Sequence, residues 1–161
     1  MKQARNIFCS IVILFTIAAA TAGCSDPKAV FDQNTAIVNH NWGYVNNIKY
    51  QVKIDDNSVP YNLYFNLRVT GDYKYANLFV LLHTSGPNQK ADVMRYELHL
   101  ANKTGEWLGS GSGNLYSYQI PFKTNIKFPA KGIYHFEIEQ NMRDNPLREV
   151  SDVGLRVERA R

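Results

Sequence analysis

His40, His83, His99 and His135 are the chain's histidines, and no two of them stand at the spacing that brings metal ligands together on one element. Glu137 and Glu139 are two residues apart, which puts both carboxylates on the same face of a strand. Paired carboxylates for acid/base work usually come from separated segments facing a cleft, so a solvated strand face is the expectation here. The run Gly109–Gly113 (GSGSG) lacks the Lys-Ser/Thr of a phosphate loop and the spacing of a dinucleotide loop. It reads instead as a turn or bulge where backbones approach closely. No serine sits in a G-x-S-x-G elbow. The expectation is a chain with no catalytic residue, no metal and no cofactor, and with no small-molecule ligand of its own. Trp42, Trp107 and the ten tyrosines are the remaining candidates. Aromatic rings on a sheet either pack the core, which is expected here, or stack on sugars when exposed. The second possibility makes carbohydrate binding the alternative function.

Cys24 is the other reactive side chain. Lys2 and Arg5 form a basic start, Ile7 to Ala20 is an apolar run, and Thr21, Ala22 and Gly23 are small residues leading to the cysteine. The apolar run has the length of a signal-peptide core and falls short of the roughly 20 residues of a membrane span. This is the layout of a lipoprotein signal, with Thr21 where an aliphatic residue usually stands. The only other cysteine, Cys9, lies within the leader and would leave with it, so Cys24 has no disulfide partner. Cys24 is therefore expected to carry a diacylglycerol thioether and an acylated amine, which anchor it to a membrane. Residues 1–23 are then the signal peptide, 24–41 a lipidated polar tether, and 42–161 one domain. Lys and Arg exceed Asp and Glu by four, and two of those positives precede Cys24. No basic cluster remains, so nucleic acid is not expected as a partner.

Positioning any of these residues falls to strands. Ile48–Ile54, Tyr61–Val69, Met94–Leu100, Tyr116–Phe122, Tyr134–Gln140 and Val153–Val157 alternate apolar and polar residues with period two. Leu78–Leu82 (LFVLL) is apolar on both faces and reads as a central strand. Turn signals such as DDNS, TGD, NKTG and RDNP separate them. Seven to nine short strands without a helical stripe predict an all-β fold, an antiparallel β-sandwich (jelly-roll-like), with a closed barrel as the alternative.

Four blocks then matter together: Tyr61–Leu82, Leu100–Leu115, Gly132–Leu147 and Val150–Arg159. Their most specific parts are Asn66–Arg68, the W-L-G-x-G at Trp107–Gly111, EQNMR at Glu139–Arg143 and DVGLR at Asp152–Arg156. With the leader, their order and spacing resemble the gliding-motility lipoprotein family GldH over nearly all of the chain after Cys24. The resemblance implies a non-enzymatic envelope lipoprotein of Bacteroidota, required for gliding and tied to the type IX secretion machinery. Its expected partners are the membrane, through the lipid, and other gliding or secretion proteins. The outer membrane is the expected location, with the periplasmic and surface faces both open. The only residue that carries over from the family is Cys24. Arg68, Arg143 and Arg156, with Glu139 and Asp152, are expected to form either a polar interface patch or an internal pairing network. Trp107 joins them as a candidate interface residue.

Overall fold

The computed structural model describes residues 26–160. Cys24 and the leader lie outside them. The elements are β1 (Ala29–Ala36), a 3-10 turn (Val38–His40), β2 (Asn41–Trp42), β3 (Ile48–Ile54), β4 (Tyr61–Thr70), β5 (Asn77–Gly86), β6 (Gln89–His99), β7 (Ser110–Ser112), β8 (Leu115–Ile126), β9 (Gly132–Gln140), β10 (Leu147–Arg148) and β11 (Val150–Arg159). Every strand pairing is antiparallel. One sheet runs β1-β11-β4-β8-β7, and the other runs β3-β9-β5-β6. Setting aside the two- and three-residue strands β2, β7 and β10 leaves eight. Numbered in chain order, these eight read 1-8-3-6 in one sheet and 2-7-4-5 in the other, the order of a jelly roll.

Alternation builds the core between the sheets. β3 buries Ile48, Tyr50, Val52 and Ile54, while β4 buries Tyr61, Leu63, Phe65, Leu67 and Val69 against them. Each such side chain contributes about 1.5–3 kcal/mol by leaving water. Phe65 fills the centre of an aromatic group, with ring centroids 4.2 Å from Phe122 and 5.5 Å from Tyr96. LFVLL is the inner strand β5, between β9 and β6. Its outward Phe79 and Leu81 are half-buried, and the Arg95 guanidinium lies 3.8 Å from the Phe79 ring.

The sandwich begins earlier than the alternation indicates. Part of the stretch expected as a tether, Ala29–Ala36, is a strand paired with β11 through seven registered positions. Asn41 and Trp42 pair with β10. β1 has a partner on one side only, and most of its side chains are exposed, so it shows no apolar alternation to read.

The strands give the molecule two ends. β1, β4, β6 and β9 start at one end, where the turns 55–60, 87–88 and 127–131 and the last residues of β11 also lie. The loops 37–47, 71–76, 100–109 and 141–149 lie at the other.

Candidate functional site

Three places bring polar side chains together. The first is the outward face of the β1-β11-β4-β8 sheet. Arg156 points out from β11, yet it is buried, with its side chain 10% exposed. Carboxylates cover it. Its guanidinium donates to Asp32 and Glu158, each at 2.7 Å, and to Asp26. Burial opposes the charge on Arg156, but Glu158, Asp26 and Asp32 outweigh it, so its pKa is raised. Arg156 in turn holds the Glu158 carboxyl below its ordinary range, helped by the Tyr64 hydroxyl. The Asp26 carboxyl is also lowered, first by the Lys28 backbone N–H and then by Arg156. The network continues across the strands. Asn66 donates to Asp32 at 2.8 Å and to Asn34 at 3.0 Å, and Gln119 donates to Asn66 at 3.2 Å. Arg68 donates to the buried Asp152 at 2.5 Å. Gly154 makes the closeness possible. A Cβ there would stand 1.9 Å from the Asn34 side-chain oxygen and 2.5 Å from the Gln33 carbonyl.

The second place is a cleft of about 730 Å³ at the end opposite residue 26. Asp72, Lys74 and Tyr75 line one wall, and Arg143, Asp144 and Glu149 lie among those lining the other. Tyr75 donates to Asp144 at 2.7 Å, and Thr70 donates to Glu149 at 2.6 Å. Tyr44 closes the rim by donating to the Met142 carbonyl at 2.6 Å. Beside it Val45 is 93% exposed.

The third is the outward face of the other sheet, where a pocket of about 300 Å³ is lined by residues that include Lys49, His83, His135 and Glu137. Asn47 donates to Glu137 at 2.6 Å, and Asn47 and Lys49 lower that carboxyl's pKa. His83 lies 3.2 Å from Glu139. Glu137 and Glu139 thus share a face, as two-residue spacing demands, and each has its own partner. Among the described residues no group of three or more His, Asp or Glu side chains is arranged to hold a metal.

The structure divides the residues singled out from sequence. Arg68 and Arg156 share one sheet face, with Asp152 of β11 directly across from Arg68 of β4. Glu139 does not join them, because β9 belongs to the opposite sheet, where His83 is its neighbour. Arg143 and Trp107 stand at the cleft end, on different loops. Trp107 is half-buried, 5.4 Å from the Tyr116 ring, and Trp42 is fully buried with its indole donating to the Asn46 carbonyl. The glycine run forms β7 and its turn into β8. Gly109 lies so close to Tyr118 that a Cβ would come within 2.7 Å of the ring. Sequence reasoning passed over the cleft, although two polar loop segments, DYKY and RDNP, mark its walls.

Comparison with known proteins adds a second line. A family model described as GldH lipoprotein matches residues 29–157. The gliding motility lipoprotein GldH homolog of Christiangramia forsetii is 32% identical over 165 residues, covering 97% of this chain and 98% of that protein. The gliding motility lipoprotein GldH of Flavobacterium johnsoniae is 28% identical over 152 residues, covering 90% of this chain and 94% of that protein. Among solved structures, a chain of infectious bursal disease virus, Gx strain, aligns at a TM-score of 0.31 and 14% identity, over 86% of this chain and 36% of its own.

Proposed function

From a chain that belongs to the GldH lipoprotein family, we propose a membrane-anchored, non-enzymatic component of the gliding apparatus that works with the type IX secretion machinery. The anchor is lipid on Cys24, and the membrane is the outer membrane. The observation that carries this reading is the attachment of β1. The strand that follows Cys24 is built into the sandwich along seven registered positions, and Arg156 clamps Asp26 just before it and Asp32 within it. A lipid on Cys24 would thus be coupled to a rigid body, as a component that carries load between a membrane and a protein partner requires. The charged groups of the β1-β11-β4-β8 face support the same reading, since Arg68, Arg156, Asp26, Asp32, Asp152 and Glu158 are occupied by internal pairs.

The cleft end is the part offered to the partner. It combines the wall cations Lys74 and Arg143 with the exposed Tyr44 and Val45, and its position is set by a rigid sheet. Deletion of the gene, scored for colony spreading and for secretion, tests the proposal. Spreading should be lost, and restored by the wild-type gene but not by a Cys24→Ala version, which should accumulate as unprocessed precursor. Normal spreading in the deletion strain, or full rescue by Cys24→Ala, refutes it.

A further inference from the structure

We propose that the end of the sandwich bearing Lys28, Lys53, Lys90, Lys127, Lys131 and Arg159 seats directly on anionic lipid headgroups, so that the strands stand up from the membrane with the cleft farthest from it. The inference rests on lipidation at Cys24 and adds an orientation and a binding surface to it.

Three observations carry it. First, Cys24 is two residues from Asp26, which Arg156 already holds to the sheet. An extended chain advances 3.3–3.6 Å per residue, so the lipid-bearing cysteine reaches no farther than about 7 Å from a fixed point on the body. A stalk of that length cannot lift the sandwich clear of the headgroups.

Second, the segments at this end are fastened to one another as a platform. The Arg159 N–H donates to the Lys28 carbonyl at 3.1 Å, and that of Ala160 to the Pro60 carbonyl at 2.9 Å. Asn57 donates to the Pro129 carbonyl at 3.4 Å, and the Tyr134 hydroxyl donates to the Ala130 carbonyl at 2.9 Å. A Cβ on Gly132 would come within 2.7 Å of the Pro87 ring, so the 127–131 connection also meets the 87–88 turn.

Third, the two ends differ in charge. Segments 26–28, 53–60, 87–90, 127–132 and 158–160 hold six exposed cations against four carboxylates; Arg156 binds Asp26 and Glu158, and Lys53 pairs with Asp55 at 2.8 Å, which leaves five cations facing Asp56. Segments 37–47, 70–76, 100–109, 113–114 and 141–149 hold four cations and four carboxylates. Basic residues close to a leaflet are drawn to anionic headgroups, and the attraction falls off within a Debye length of about 8 Å. That distance matches the reach of the two-residue link.

The test uses the full lipidated protein in phosphatidylcholine vesicles, with and without phosphatidylglycerol, and a membrane-permeant lysine-acetylating reagent read by peptide mass spectrometry. With phosphatidylglycerol present, labelling of Lys90, Lys127 and Lys131 should fall several-fold relative to detergent, while Lys74 and Lys103 keep their labelling. High salt, or Lys127→Glu with Lys131→Glu, should abolish the protection of Lys90. Both substituted residues are exposed, and an unchanged labelling pattern in detergent reports an intact fold. Equal labelling of the two ends in a chain that floats with the vesicles and carries acyl groups by intact mass overturns the seating alone. A chain without acyl groups overturns the lipid anchor and the seating together.

Discussion

Replacing Arg156 with glutamine should cost stability in a pH-dependent way. The side chain is 10% exposed, while its partners Asp26, Asp32 and Glu158 are 44%, 38% and 18% exposed. Removing one member of a fully buried ion pair costs about 3–5 kcal/mol, because the remaining charge is stranded. Here two of the three carboxylates keep contact with water, which lowers the expected cost to about 2–3 kcal/mol at neutral pH. For a domain of this size that corresponds to a fall in Tm of roughly 10 °C. The Glu158 and Asp26 carboxyls are held below their ordinary values of 4.5 and 3.8. Groups with lowered folded-state pKa values stabilise above the unfolded value and lose that contribution as pH falls through the folded one. The wild type therefore surrenders it in acid, whereas the variant never had Arg156's share. The difference between the two should be largest at pH 7 and shrink below about pH 4.5, following mainly Glu158, whose leading partner is Arg156. Asp26 retains the Lys28 N–H in either protein. Urea unfolding of the mature domain across this range measures the gap. A gap independent of pH, or one below about 0.5 kcal/mol at pH 7, would refute the clamp. Hydrogen exchange supplies a second readout, since the amides of β1 should lose protection before those of β4.

Gly154→Ala should destabilise by about 1–3 kcal/mol, because the new methyl meets the Gln33 carbonyl at 2.5 Å and backbone cannot yield as a side chain can; thermal melts check this. Trp107→Ala should cost about 1 kcal/mol through its half-buried contact with Tyr116 and leave a glycan array blank for both proteins. Array binding by the wild type that vanishes in the variant would establish the carbohydrate alternative. Arg143→Glu is exposed, so Tm should stay within the roughly 0.5 kcal/mol typical of surface changes while spreading is lost. Spreading at the wild-type rate would remove Arg143 from the partner surface.

The strands facing both the core and water were legible because burial imposes period two on them. The Ile48–Ile54 alternation coincides with β3, and Tyr61–Val69 falls one residue short of β4. Pattern fails at β1, most of whose side chains are exposed on both faces. β1 is held by backbone pairing and by Arg156, neither of which writes an apolar stripe. The arginines were legible as candidates but not as a set. Arg68 and Arg156 lie 88 positions apart in sequence from each other and meet on one face because β4 pairs with β11, while Glu139 sits near Arg143 in sequence yet belongs to the other sheet. The cleft was hidden for the same reason, as its walls come from loops about 70 residues apart that only the closed sandwich brings together.

The topology also fixes how load would cross the molecule. A lipid on Cys24 would pull at the start of β1, along the strand axis, because β1 runs away from residue 26 toward the cleft end. A partner gripping the 43–47 loop would be joined to that anchor along the continuous backbone of β1 and β2, without load passing from one strand to another. A partner gripping the 141–149 wall would transmit load through β11. The seven β1–β11 positions would then be loaded in shear, all together rather than one after another. Backbone hydrogen bonds worth about 0.5–1.5 kcal/mol each resist as a group in that geometry. An anchor at the far end of β1, pulling across the sheet, would peel the same bonds singly. Arg156 sits at the loaded end of the pair, where peeling would have to begin, and ties Asp26 and Asp32 to β11 there. With lipid on Cys24, the clamp, the edge strand and the short link would act as parts of one mechanical arrangement.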